Sequence, residues 1–70
     1  MISFVIPVFN EEESLRSFYT ELTKAVRKLK QDCEIVFVDD GSTDKSLKII
    51  KDLAIKDKTI RVFSFRKKSG

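Results

Sequence analysis

Apolar positions in this chain alternate between short continuous runs and longer periodic stripes. Ile2 to Ile6 is apolar apart from Ser3 and rich in β-formers. Such a run, stopped by Pro7, predicts a short strand buried on both faces. From Glu11 to about Lys30 the period changes. Leu15, Phe18, Tyr19, Leu22, Ala25, Val26 and Leu29 recur at i, i+3, i+4 and i+7, the stripe of an amphipathic helix. Asn10 stands where an N-cap belongs, with Glu13 three residues on as in a capping box. Glu11, Glu12 and Glu13 lie at the end where the helix dipole favours negative charge, and Arg27, Lys28 and Lys30 at the other. Glu34 to Val38 is a second apolar run and a second strand. Asp39-Asp40-Gly41-Ser42-Thr43-Asp44 reads as a turn, in which Gly41 can take backbone angles closed to other residues and Ser42 or Thr43 can cap the next helix. That second helix runs from about Asp44 to Ile55, burying Leu47, Ile50, Leu53 and Ala54. Ile60 to Phe65 is the third strand.

The order β-α-β-α-β predicts an α/β fold with a parallel sheet and crossover helices. Right-handed crossovers set the strands side by side in the order 3-2-1, one mononucleotide-binding half of a doubly wound, Rossmann-like fold. A complete fold of this kind continues on the free side of strand 1. That bare edge predicts that residues 1–70 alone self-associate through strand 1. A monomer by light scattering at high concentration would count against it.

Composition narrows the chemistry. The chain has 70 residues, one cysteine (Cys33) and no histidine. An internal disulfide and a zinc site of His and Cys are excluded. A lone cysteine before an apolar run reads as a buried structural thiol and suits a reducing, cytoplasmic setting. Apolar residues at 41% and charged residues at 36% describe a globular chain. No run approaches the ~20 apolar residues of a membrane helix, and no charged region precedes the first apolar run, as a signal peptide would require. The net charge of +3 is dispersed apart from Arg66-Lys67-Lys68. Phe4, Phe18, Phe37 and Phe63 fall mostly on buried patterns, which speaks against a nucleic-acid-binding surface.

In an open parallel sheet, ligands bind beyond the carboxyl ends of the strands. Two polar loops leave those ends: Pro7-Val8-Phe9-Asn10-Glu11 and Asp39-Asp40-Gly41-Ser42. Adjacent carboxylates repel unless something positive or donating meets them. The ring N–H of a pyrimidine or guanine base is one such partner and a divalent cation is another. One aspartate suffices for an Asx turn that caps the second helix, which leaves the other for a ligand. Glycine-rich dinucleotide fingerprints and P-loops are absent from the sequence. A receiver-like signalling domain would carry its acidic pair after the first strand and its phosphoacceptor aspartate after the third. Here the pair follows the second strand and Arg66 the third.

Taken together, the segments resemble a known family. Ile6-Pro7-Val8-Phe9-Asn10-Glu11-Glu12-Glu13-Ser14-Leu15 is similar to the opening P-x-[YF]-N-E-x-x-x-[LI] signature of family 2 glycosyltransferases. Val38-Asp39-Asp40-Gly41-Ser42-Thr43-Asp44 resembles their V-D-D-G-S-x-D signature, with one helix and one strand between the two. Phe65-Arg66-Lys67-Lys68-Ser69-Gly70 resembles the R-x-x-x-G segment of the branch that uses polyprenyl-phosphate or dolichol-phosphate acceptors. The resemblance implies a GT-A fold of which residues 1–70 form the incomplete, N-terminal nucleotide-binding part. It implies transfer of a sugar from a UDP- or GDP-sugar, with inversion, in cell-envelope biosynthesis. Pro7 and Phe9 would line the base, Phe9 lacking the hydroxyl of the commoner tyrosine. Glu11 would lie near the ribose or base, Asp40 would recognise the base with Asp39 in support, and Arg66 would lie near the diphosphate. The D-x-D motif that holds magnesium or manganese, the catalytic base and the acceptor site would lie beyond Gly70. Residues 1–70 would then bind no metal and carry no transferase activity alone, and the whole protein would sit in the cytoplasm or at the cytoplasmic face of a membrane.

Overall fold

The computed structural model describes residues 1–65. The elements are β1 (Ile2–Val8), α1 (Leu15–Leu29), β2 (Cys33–Asp39), α2 (Ser46–Lys56) and β3 (Ile60–Ser64). The sheet is parallel throughout, and β2 lies between β1 and β3. This is the 3-2-1 order read from the other edge.

Two successive right-handed crossovers in one direction lay both helices on one face of the sheet. Burial follows that geometry. Val8 from β1, Ile35 and Phe37 from β2 and Ile60 from β3 form the core with Leu15 of α1 and Leu47, Ile49, Ile50 and Leu53 of α2. The opposite face is open among the described residues. Ser3, Val5 and Pro7 are exposed along β1, as are Arg61 and Phe63 along β3. β1, expected to be buried on both faces, is covered on one face only among the described residues: an apolar run fixes the strand but not what covers its second side. Phe63 (52% exposed) and Phe18 (41%) are likewise not buried as their patterns suggested. The open face carries one polar ladder, in which Ser3 Oγ donates to Glu34 Oε1 at 2.6 Å and Arg61 Nε donates to Glu34 Oε2 at 3.1 Å.

Pro7 does not end β1; it pairs with Val38, and the strand runs on to Val8. The ladder explains why the proline is tolerated. Ile2 N donates to Asp32 O and Val8 O accepts from Asp40 N, so the even-numbered residues of β1 turn their backbone groups towards β2. Pro7 falls on the other parity, and its missing N–H belongs to the open edge, where a sheet accepts proline.

α1 starts four residues later than its stripe predicts. Its N-cap position is Ser14, which makes no side-chain cap, and no acidic residue lies in its first turn. Glu11 instead closes the preceding turn, its carbonyl accepting from the amides of Ser14 and Leu15. Of the stripe, Leu15 is buried, and Tyr19 and Leu22 are partly buried against the core. The stripe is right in phase but only partly covered.

A polar lock ties α1 to the turn before β3. Tyr19 Oη donates to Asp57 Oδ2 at 2.7 Å, and the amide and hydroxyl of Thr59 donate to Asp57 Oδ1 at 2.9 and 2.6 Å. Burial pushes the Asp57 carboxyl up, but the hydrogen bonds from Thr59 and Tyr19 outweigh it and hold the group below its ordinary value. The bond to Asp57, with burial next, raises the Tyr19 hydroxyl. We expect Tyr19→Phe to cost about 1 kcal/mol at neutral pH. A carboxyl depressed in the folded state stabilises fully above its unfolded pKa, and the contribution fades as pH falls through the folded value. The deficit of Tyr19→Phe in urea titrations should therefore shrink in acid; a deficit equal at pH 7 and pH 3 would contradict the assignment.

Candidate functional site

The carboxyl ends of β1 and β2 release two loops, residues 9–14 and 40–45, at one rim of the sheet. The ladder carries on past the strands: Asp40 N donates to Val8 O and Phe65 N donates to Asp39 O, both at 2.9 Å. The loops are then bonded to each other. Asn10 adopts φ 48, a left-handed conformation that asparagine tolerates. Its backbone N–H donates to Ser42 Oγ at 2.9 Å, and its side-chain Oδ1 accepts from the amides of Thr43 at 2.8 Å and Asp44 at 3.3 Å. Glu11 N donates to Ser46 Oγ at 2.7 Å, and Glu12 N donates to Asp44 Oδ2 at 3.1 Å. Asp44 Oδ1 in turn accepts from Ser46 N at 2.8 Å, two residues on, just where α2 begins. Burial acts to raise the Asp44 carboxyl, yet the bonds from Ser46 and Glu12 outweigh it, and the group lies below its ordinary value.

Two expectations are corrected here. Asn10 is not the cap of α1, because the helix begins beyond its reach; its amide serves the neighbouring loop. Neither Ser42 nor Thr43 caps α2, whose N-cap position is Lys45. Ser42 faces Asn10, and the α2 amide at Ser46 is met by Asp44. Sequence reasoning thus missed Ser42, Asp44 and Ser46 as residues that join the loops. Their signal was present as polar side chains following adjacent strands, but propensity rules assign such residues to the nearest helix start.

The aspartate pair divides. Asp39 is fully buried, and both of its oxygens face the Ser42 amide at 3.4 Å. Gly41, at φ 78, turns the chain back so that this amide meets the carboxylate. Asp40 is exposed, and its carboxylate accepts no hydrogen bond among the described residues. The sequence left open which aspartate shapes the turn; the structure gives that part to Asp39. Phe9 (55% exposed), Glu11 and Pro7 stand at the same rim with their side chains in solvent. Arg66 lies outside the described residues, although the chain is held at this rim up to Phe65 by its bond to Asp39 O. Cys33 is half-buried, its thiol donating to Gln31 O at 3.3 Å, far along β2 from the loops.

Among the described residues, no group of three or more His, Cys, Asp or Glu side chains is gathered as a metal would need. No helix there is long and apolar enough to cross a membrane. A depression of about 620 Å³ at the opposite end of the sheet is lined by Arg27, Lys30, Lys58 and Arg61 among others and contains none of the loop residues. The carboxyl rim is a cradle of two cross-bonded loops with an exposed carboxylate unbonded among the described residues (Asp40), an exposed aromatic ring (Phe9) and a second exposed carboxylate (Glu11). It can receive a flat ring that offers an N–H.

The family model described as Glycosyl transferase family 2 matches residues 3–70. The chain is 45% identical over 76% of its length to the undecaprenyl-phosphate 4-deoxy-4-formamido-L-arabinose transferase of Proteus mirabilis, covering 16% of that protein. It is 41% identical over 99% of its length to the prophage bactoprenol glucosyl transferase homolog of Escherichia coli, covering 22%. It is also 41% identical over 99% of its length to the bactoprenol glucosyl transferase of Shigella phage SfX, covering 23%. The chain thus spans roughly a sixth to a quarter of the length of these relatives.

Proposed function

The chain belongs to glycosyl transferase family 2, and on that premise we propose that the whole protein transfers a sugar from a UDP- or GDP-sugar to a polyprenyl phosphate, with residues 1–70 supplying the nucleoside-binding half of the site. The observation that supports this reading is the exposed carboxylate of Asp40, unbonded among the described residues, on a rim built of two loops bonded to each other. A carboxylate only accepts, and uracil and guanine both offer ring N–H groups to it. Relatives named for undecaprenyl phosphate and bactoprenol favour the lipid acceptor.

Each residue has a part in this reading. Asp40 receives the base N–H. Pro7 and Phe9 border the base, Phe9 by its ring face and backbone without a phenol hydroxyl. Glu11 lies on the ribose side. Asp39 supports from below by fixing the turn, and Arg66 opposes the diphosphate, where a guanidinium matches phosphate geometry. Members of this family generally use a divalent metal, and magnesium or manganese is the proposed ion. Among the described residues no three ligands for such an ion are gathered, and an ion of this kind takes one or two carboxylates with the donor's phosphates. In this reading its carboxylate ligands come from other parts of the protein.

A lipid acceptor suits a whole protein working at the cytoplasmic face of a membrane. Residues 1–70 alone bind no metal and turn over no donor, and their unpaired β1 edge is where they would meet a second copy. The test is transfer itself. The whole protein, given UDP- or GDP-sugars and a polyprenyl phosphate in detergent, should form a lipid-linked sugar from one donor class. Absence of transfer to any polyprenyl phosphate, with transfer to a glycan, would replace the acceptor. Absence of both would overturn the reading.

A further inference from the structure

We infer that Asn10 is a positioning residue of the nucleotide site, holding Phe9 and Asp40 at their working separation although it touches no ligand itself. The inference rests on the nucleotide-binding reading above. At the last rung of the ladder, Val8 is set against Asp39, and Asp40 N still donates to Val8 O. Beyond that rung nothing in a parallel sheet fixes how far apart the two chains run. Phe9 and Asp40 are the first residues past it on each side.

Asn10 closes that gap. It follows Phe9 directly, and its bonds reach Ser42, Thr43 and Asp44, just past Asp40 and Gly41. Phe9 is therefore held between Val8 and Asn10, and Asp40 between its bond to Val8 O and the segment that Asn10 grips. Three details argue that the amide is placed for this and is not a by-product of capping. α1 begins at Leu15, so the Asn10 side chain is not engaged by a helix end. Its φ of 48 turns the backbone N–H and the side-chain oxygen towards the same loop. Ser42, which receives the N–H, is itself buried, so the anchor is part of the packed structure.

The experiment uses the whole protein, titrated calorimetrically with UDP and GDP, with a thermal melt of each variant. Asn10→Gly keeps the left-handed conformation and deletes the acceptor. It should weaken the nucleotide that wild type binds by about tenfold, the loss expected when one hydrogen bond to a charged group is displaced. Asn10→Asp keeps both the acceptor and the tolerated φ, and should restore most of the affinity. In turnover, Asn10→Gly should raise donor KM far more than it lowers kcat. A folded Asn10→Gly that binds within twofold of wild type overturns the inference while leaving the nucleotide reading intact. If Asn10→Gly does not fold, Ser42→Ala removes only the bond from the Asn10 N–H. It should weaken binding by about threefold, and unchanged binding there overturns the inference too. Failure of wild type to bind either nucleotide overturns the inference together with the reading on which it rests.

Discussion

Phe37→Ala should remove about 3–5 kcal/mol of stability, the range for truncating a fully buried phenylalanine. The ring is completely buried at the centre of β2, the strand with a neighbour on both sides, where it pairs across to Ile6 and Val62. Both helices cover this face of the sheet, so no other side chain can collapse into the space without moving an element. Domains hold only about 5–15 kcal/mol in total, so the substitution consumes a large share of what keeps the sheet folded. Urea denaturation of the whole protein would measure it, provided the transition of this domain is followed. Phe37→Leu should cost much less because it keeps most of the volume. A loss below about 1 kcal/mol for Phe37→Ala would mean that the ring is not the keystone of the helix-covered face.

The second large effect is on affinity and leaves stability alone. Asp40→Ala should weaken nucleotide binding by about 10–100-fold, the equivalent of one hydrogen bond to a charged group at about 1.5–3 kcal/mol. Asp40→Asn, which keeps an acceptor but removes its charge, should fall between that and wild type. Neither should shift the melting temperature appreciably, because the side chain is exposed and bonds to nothing among the described residues. The same substitutions at Asp39 should do the reverse and show first as lost stability, since that carboxylate is buried against the Ser42 amide. A melting temperature that drops with Asp40→Ala would assign Asp40 to the scaffold instead.

Much of this was legible in the residues. The period change between Ile6 and Leu15, and again between Val38 and Leu47, fixes the β-α-β-α-β order, because apolar spacing of one kind cannot serve the other element. Strand order followed from crossover handedness. Two things were not legible. Hydrophobicity of β1 and β3 says that they are strands, but not that Val5 and Phe63 stand on a face that the two crossovers, passing on the same side, leave open among the described residues. The loop bonding was hidden for a different reason. Asn10, Ser42 and Asp44 each have a local use, at a cap or in an Asx turn, and a single sequence presents that use first. Only the parallel register, which sets Val8 against Asp39, brings them within bonding distance of each other. The family signatures were therefore read rightly as marking the family. Several of their residues bind the loops to each other, while Asp40, Phe9 and Glu11 stand exposed at the same rim.

If this rim holds a nucleoside, the whole protein binds free nucleotide there. The whole protein would be titrated with UDP and with GDP by calorimetry, in magnesium or manganese. One of the two should bind saturably, and more weakly when Asp40 is replaced by alanine. Failure of well-folded protein to bind either nucleotide, or binding that Asp40→Ala leaves unchanged, would contradict it.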